Sequence, residues 1–260
     1  MPESSLAAPR RFGLSGSTLK WIAIIAMVID HAANAFLPDY WGMPALPLHM
    51  IGRITGPVMF YFIAEGTNLT KRANAYTLRL AVFAAISYIP FLWFRTGSPL
   101  PTATTWMNFN VIYTLFFGHL AVRIRHEVKN FTLKVLLIAL CFVFAMPGDW
   151  GWMAVLFILL FDYFRGSFKN QALAYAAVTL TQLLPPLAAA IVGLAQGVAP
   201  QFLYGYFAQA LLYAAFFLPL LLLSYYNGQR GKGGKYWFYV FYPAHLLVID
   251  LIKTLMERGL

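Results

Sequence analysis

Charge is scarce in this chain. Only 11% of its 260 residues are Asp, Glu, Lys or Arg, where a soluble domain carries about 25%. Cysteine is almost missing: Cys141 stands alone, which excludes an intrachain disulfide and a Cys/His cluster with metal-ligand spacing. No metal site is expected. The sequence holds no Walker motif, so nucleotide hydrolysis is not expected, and no internal repeat. Acidic residues are few as well, 9 against 19 basic ones, for a formal net charge of +10.

Apolar residues fill the space instead, at 60% of the chain. They fall in runs near the ~20 residues that a membrane helix needs and show no strand-like alternation. The runs cover 19–37, 50–70, 75–95, 108–125, 131–147, 150–165, 171–195, 203–225 and 236–256. The expectation is an all-α, polytopic membrane bundle of about nine transmembrane helices. Pro185–Pro186 predicts a kink or break in the seventh. Residues 1–18 read as a short flexible tail ahead of one transmembrane domain over 19–257.

Loop charge sets the orientation. If the N-terminus is cytoplasmic, the inner segments collect most of the basic residues: Arg10, Arg11 and Lys20, then Lys71 and Arg72, then Arg123 to Lys134, then Arg165 and Lys169, then Arg230 to Lys235. The outer loops carry Arg95 and the acidic Asp39 and Asp149. This alternation places N inside and C outside. It also accounts for the positive net charge without nucleic acid, for which no recognition motif is present. A cleaved signal peptide is not expected, because Asp30 and His31 interrupt the first apolar core.

Those two residues are the first functional candidates. A charge at the bilayer centre costs roughly 2.5–3.5 kcal/mol on insertion scales. His31 lies eleven residues after Lys20, which puts both on one helix face, roughly 16–17 Å apart along the axis. Asp30 and His31 point about 100° apart, so each needs its own partner on another helix. Toward the outside lie His49, Arg53, Asn108, Asn110, Asp149 and Asp250; toward the inside lie Glu65, Arg72, Arg79, Arg123 and Arg125. His245 sits mid-span. Several have structural readings: a Glu65–Arg79 ion pair across a hairpin, Gly52 and Gly56 as close-packing positions, and His119 as a satisfied bundle histidine. A membrane-embedded histidine can serve as a general base near neutral pH. A basic inner mouth built from Arg72, Arg79, Arg123, Arg125 and Lys235 suits phosphates.

Ordered motifs along most of the chain narrow this further. They are Leu19-Lys20-Trp21-Ile22-Ala23 through Ile29-Asp30-His31; Ile51-Gly52-Arg53-Ile54 with Pro57; Glu65-Gly66 with Tyr76 and Leu78-Arg79-Leu80; Ile86 to Pro90-Phe91; Asn110-Val111 with Thr114-Leu115 and Gly118; Asp149 with Gly151; and Phe241-Tyr242-Pro243-Ala244-His245-Leu246-Leu247. In these the chain resembles the TraX family, membrane proteins named for N-terminal acetylation of F-type pilin. That family is similar to a wider superfamily of transmembrane acyltransferases, which place a basic residue and a histidine in an early helix with ten residues between them. Lys20 and His31 fit that spacing, with Lys in place of Arg.

The resemblance implies a bacterial inner-membrane, multi-pass acetyltransferase. Acetyl-CoA would enter from the cytoplasm, and a pilin N-terminus, a surface glycan or a small amine would accept the acetyl group. His31 would be the general base and His245 a second base or orienting group, while Asp30 would pair with Arg53 or hold another helix. Arg53 and Asn110 would stabilise the oxyanion or fix the acyl group. Lys20, Arg72, Arg79 and Arg123 would contact the CoA phosphates. The expected partners are thus the donor, the acceptor and the lipid bilayer, and self-association is compatible with the sequence. The alternative class is a proton-coupled transporter using Asp30, His31, Glu65 and His245; a third reading is a structural scaffold for an envelope complex.

Overall fold

The computed structural model of the chain describes residues 13–37, 39–232 and 237–259. Arg10, Arg11 and Lys235 fall outside them, as does the expected tail up to residue 12. The described residues form twelve α-helices and no strand: α1 Gly16–Phe36, α2 Leu46–Gly52, α3 Thr55–Leu69, α4 Ala73–Ile86, α5 Tyr88–Thr96, α6 Val111–Glu127, α7 Phe131–Ala145, α8 Gly151–Tyr163, α9 Phe168–Ala195, α10 Pro200–Ala214, α11 Leu218–Ser224 and α12 Trp237–Glu257. A 3-10 turn at Ala215–Phe217 joins α10 to α11.

Each expected apolar run coincides with one helix or a pair of helices. Length and composition single out fewer of them as membrane-crossing: α1, α9, the α10–α11 segment and α12, with α4 and α5 making a fifth if their 41° bend lies within one span. α7 and α8 are apolar but shorter. Much of the apolar side-chain surface points outward, with Phe131 77% and Phe202 75% exposed. That is the burial pattern of helices solvated by lipid rather than water.

Local signals explain the helix ends. Ser15, Asn110, Asn130 and Ser167 each accept a backbone N–H from the first turn that follows, satisfying donors that have no partner inside the helix. Gly97 closes α5 in the left-handed conformation, φ 74°, which glycine adopts without a steric penalty. Residues 13–18 of the expected tail are anchored. Leu14 donates its N–H to the Tyr225 carbonyl, and Gly16 and Ser17 donate to Gln229 and Arg230.

Contacts cluster into two units. The first comprises the described residues up to 58 together with 164–231. In it α1 packs on α2 and α9 on α10. Leu46 of α2 shares a buried cluster with Ala208 and Leu212 of α10. Of the kink or break expected at Pro185–Pro186, the structure shows no break: α9 runs through both prolines as one helix. Each proline removes one backbone donor and keeps a helix-compatible φ, so a long helix packed on a neighbour can absorb the loss.

The second unit comprises residues 59–163 and the described residues from 232 onward. α6 is its hub, packed on α4, α7 and α8, while α12 lies on α5. Ala121, Cys141, Ala145 and Val155 form a buried cluster between α6, α7 and α8.

Candidate functional site

In the first unit, α1 and α2 bring four polar side chains together. Asp30 Oδ1 lies 2.6 Å from His49 Nδ1. An ionised carboxylate only accepts, so Nδ1 carries the proton and donates it. Arg53, one turn beyond His49, places a guanidinium nitrogen 3.8 Å from the same Asp30 oxygen. Its Nε donates to the His49 carbonyl (3.2 Å) and its Nη2 to the Tyr40 hydroxyl (2.9 Å). The Tyr40 ring lies almost parallel to the imidazole, with centroids 3.9 Å apart.

Two features of this cluster bear on chemistry. His49 is fully buried, and its Nε2 has no hydrogen-bond partner. With Nδ1–H held by Asp30, Nε2 presents a bare lone pair inside the protein. The second feature is Gly52, where an added Cβ would overlap Asp30 Cβ and Cγ. Only the missing side chain lets α2 approach α1 closely enough for the pair to form.

The structure sets both His49 and Arg53 against Asp30. His31 and Lys20 lie on α1, both half-buried. The remaining candidates belong to the second unit. His245, on α12, donates Nδ1–H to the Phe241 carbonyl at 3.0 Å and stacks on the Phe241 ring. Asn110 caps α6 and also donates to the Ala84 carbonyl at 2.8 Å, so both ends of its amide hold helices. Arg79 lies over the rings of Tyr76 and Tyr239, 5.1 and 5.6 Å from their centroids, a cation–π arrangement. Arg123 donates to Thr77 at 3.0 Å and grips Glu127 with two hydrogen bonds. At the end of α6, those bonds hold the Glu127 carboxyl below its usual value. Arg72 is exposed at the start of α4. Glu65 is half-buried on α3. His119 has both ring nitrogens engaged, with Thr67 and Thr77 at 2.8 Å each.

The family model described as TraX protein matches residues 15–253. The chain belongs to the TraX family. It is also 30% identical over 259 residues to the probable fimbrial assembly protein FimC, serogroup H1, of Dichelobacter nodosus, an alignment covering 95% of this chain and 99% of that relative. No solved structure matches.

In this TraX-family chain, His49 is the residue that sequence reasoning placed toward the outer side but left out of the site. The signal that could have found it is spacing. His49 and Arg53 are four apart, hence on one face of a helical turn, and Gly52 beside them marks a close approach. Asp30 required a partner from another helix, and this face supplies two.

Proposed function

We propose that the chain is an inner-membrane acetyltransferase of about nine transmembrane helices, with its N-terminus in the cytoplasm. It moves an acetyl group from cytoplasmic acetyl-CoA to an amine or hydroxyl of an envelope acceptor, a pilin N-terminus first among them. The observation that carries this reading is the Asp30–His49–Arg53–Tyr40 cluster, part-buried and built around a fully buried imidazole. A carboxylate, an oriented imidazole with a bare nitrogen and a guanidinium are costly to keep among apolar helices unless they serve a function. Together they supply what acyl transfer needs: a proton acceptor for the incoming nucleophile and a cation for the oxyanion on the carbonyl. Membership of TraX and the fimbrial name of the Dichelobacter relative support an acceptor connected with pili.

On this reading the four cations first picked out for CoA have unequal freedom. Arg72 is exposed, while Arg79 and Arg123 are engaged with aromatic rings, Thr77 and Glu127. Arg72 is therefore the first to test for CoA phosphate contacts. The founding experiment is release of free thiol from acetyl-CoA by the purified protein in detergent, with and without free-amine peptides and glucosamine. Acceptor-dependent release supports the reading. Folded protein that neither binds acetyl-CoA nor releases thiol overturns it.

A further inference from the structure

We propose that His49, not His31, is the base of the transfer, with Asp30 as its positioning residue. The inference rests on the acetyltransferase reading and deepens it. His31 was the natural choice from sequence because it sits in the first helix, eleven residues after Lys20, beside an aspartate. The fold gives that aspartate to another imidazole. Adjacent helical residues point about 100° apart, so a carboxylate aimed at α2 cannot also orient the ring next to it in sequence. Asp30 meets His49 Nδ1 at 2.6 Å, which fixes the tautomer in which Nε2 is the basic nitrogen.

The rest of the cluster fits that role. Nε2 is buried with no partner. Arg53 stands 3.8 Å from Asp30 and bonds the Tyr40 hydroxyl, while the Tyr40 ring fixes the plane of the imidazole from one face. A purely structural histidine in a membrane protein would have both nitrogens satisfied, as His119 does.

The step balances without further reagents. The acceptor's nitrogen or oxygen bonds to the thioester carbonyl carbon as its proton passes to His49 Nε2. The carbon–sulfur bond then breaks. The departing CoA thiolate takes the proton from Nε2, leaving an amide or ester, CoA thiol and neutral His49.

The test is steady-state thiol release by purified wild type, His49→Gln, His31→Gln and Asp30→Asn, each shown to be folded by thermal melting. General-base catalysis contributes about 10²–10⁴-fold. His49→Gln is expected to lower kcat by about 100-fold or more, with KM for acetyl-CoA within about twofold. Asp30→Asn should lower kcat by at least about tenfold with the same KM, and His31→Gln should stay within about tenfold of wild type. If His49→Gln does not fold, Asp30→Asn carries the test, since it keeps the shape and removes only the orienting charge. Wild-type kcat in either variant overturns the inference, as does a loss that appears in KM, or a larger loss in His31→Gln than in His49→Gln. A wild type without thiol release overturns the acetyltransferase reading first, and this inference with it.

Discussion

A carboxylate removed from water must be compensated from within, and Asp162 collects that compensation from two other helices. It lies on α8 with a fully buried side chain. Arg125 donates to one oxygen at 2.5 Å, the His126 imidazole lies 3.0 Å from the other, and Asn68 of α3 donates at 2.6 Å. Removing the carboxylate strands a guanidinium that is itself 29% exposed, so part of the penalty is relieved by solvent. Asp162→Ala should cost about 3 kcal/mol, the lower end for a broken buried pair, and should appear as a fall in melting temperature. Acetyl-CoA KM should hold if the cluster is structural. This cluster was poorly legible in the sequence. Arg125 read as an orientation signal, and an aspartate near a helix end attracts no attention until α3, α6 and α8 converge on it. His119 was more legible, since a histidine among apolar residues calls for two hydrogen bonds and Thr67 and Thr77 provide them. Asp30 lay between these cases: the need for a partner could be read, but its identity depended on how α2 turns toward α1.

Two glycines separate close approaches of different stiffness. At Gly52 the clash falls on Asp30 Cβ and Cγ, atoms tied to the α1 backbone. At Gly118 of α6 it falls first on Ile158 Cδ1, the far end of a flexible side chain, which can rotate aside. Gly52→Ala should therefore destabilise by about 1–3 kcal/mol, the usual range for overpacking, and should abolish turnover by parting Asp30 from His49. Gly118→Ala should cost less in melting temperature and leave kcat near wild type. Equal melting losses, or turnover surviving in Gly52→Ala, would count against the close approach as the device that assembles the cluster. Helix positions were legible because apolar runs and N-caps mark them, but interruptions were not. The run over 50–70 divides into α2 and α3, and the run over 75–95 bends by 41° between α4 and α5. Pro57 and Pro90 stand just past these points, each withdrawing the N–H that would have met the carbonyl four residues earlier. Pro185 and Pro186 withdraw two such donors, yet α9 continues through them. A proline permits a break, and the surrounding packing decides whether one occurs.

For the whole molecule, the open quantity is how many helices cross the bilayer, and loop charge and helix length answer it differently. Charge alternation gives nine crossings with a cytoplasmic N-terminus. Length and apolarity alone give four, or five with α4 and α5 as one bent span. The short α7 and α8, of 15 and 13 residues, span roughly 22 and 20 Å at 1.5 Å per residue. That is less than the ~30 Å hydrocarbon core, so two short crossings would thin the bilayer locally or draw flanking polar residues inward. Nine crossings and five both leave the C-terminus outside, so tagging that end does not separate them. The loops at 70–72 and 97–100 do. With nine, Lys71 is cytoplasmic and Ser98 external. With five, α2 and α3 stay on the outer side, Lys71 is external and Ser98 is cytoplasmic. Cys141 is the single cysteine of the sequence and is buried, so single-cysteine labelling starts from a low background. A membrane-impermeant maleimide applied to intact spheroplasts should label Ser98→Cys and spare Lys71→Cys until the membrane is opened. Lys169→Cys, expected inside on the nine-crossing count, should also be spared. Labelling of Lys71→Cys with protection of Ser98→Cys would replace nine crossings by five. It would also put Arg72 on the face away from cytoplasmic CoA, leaving Lys20 as the first candidate for the donor's phosphates.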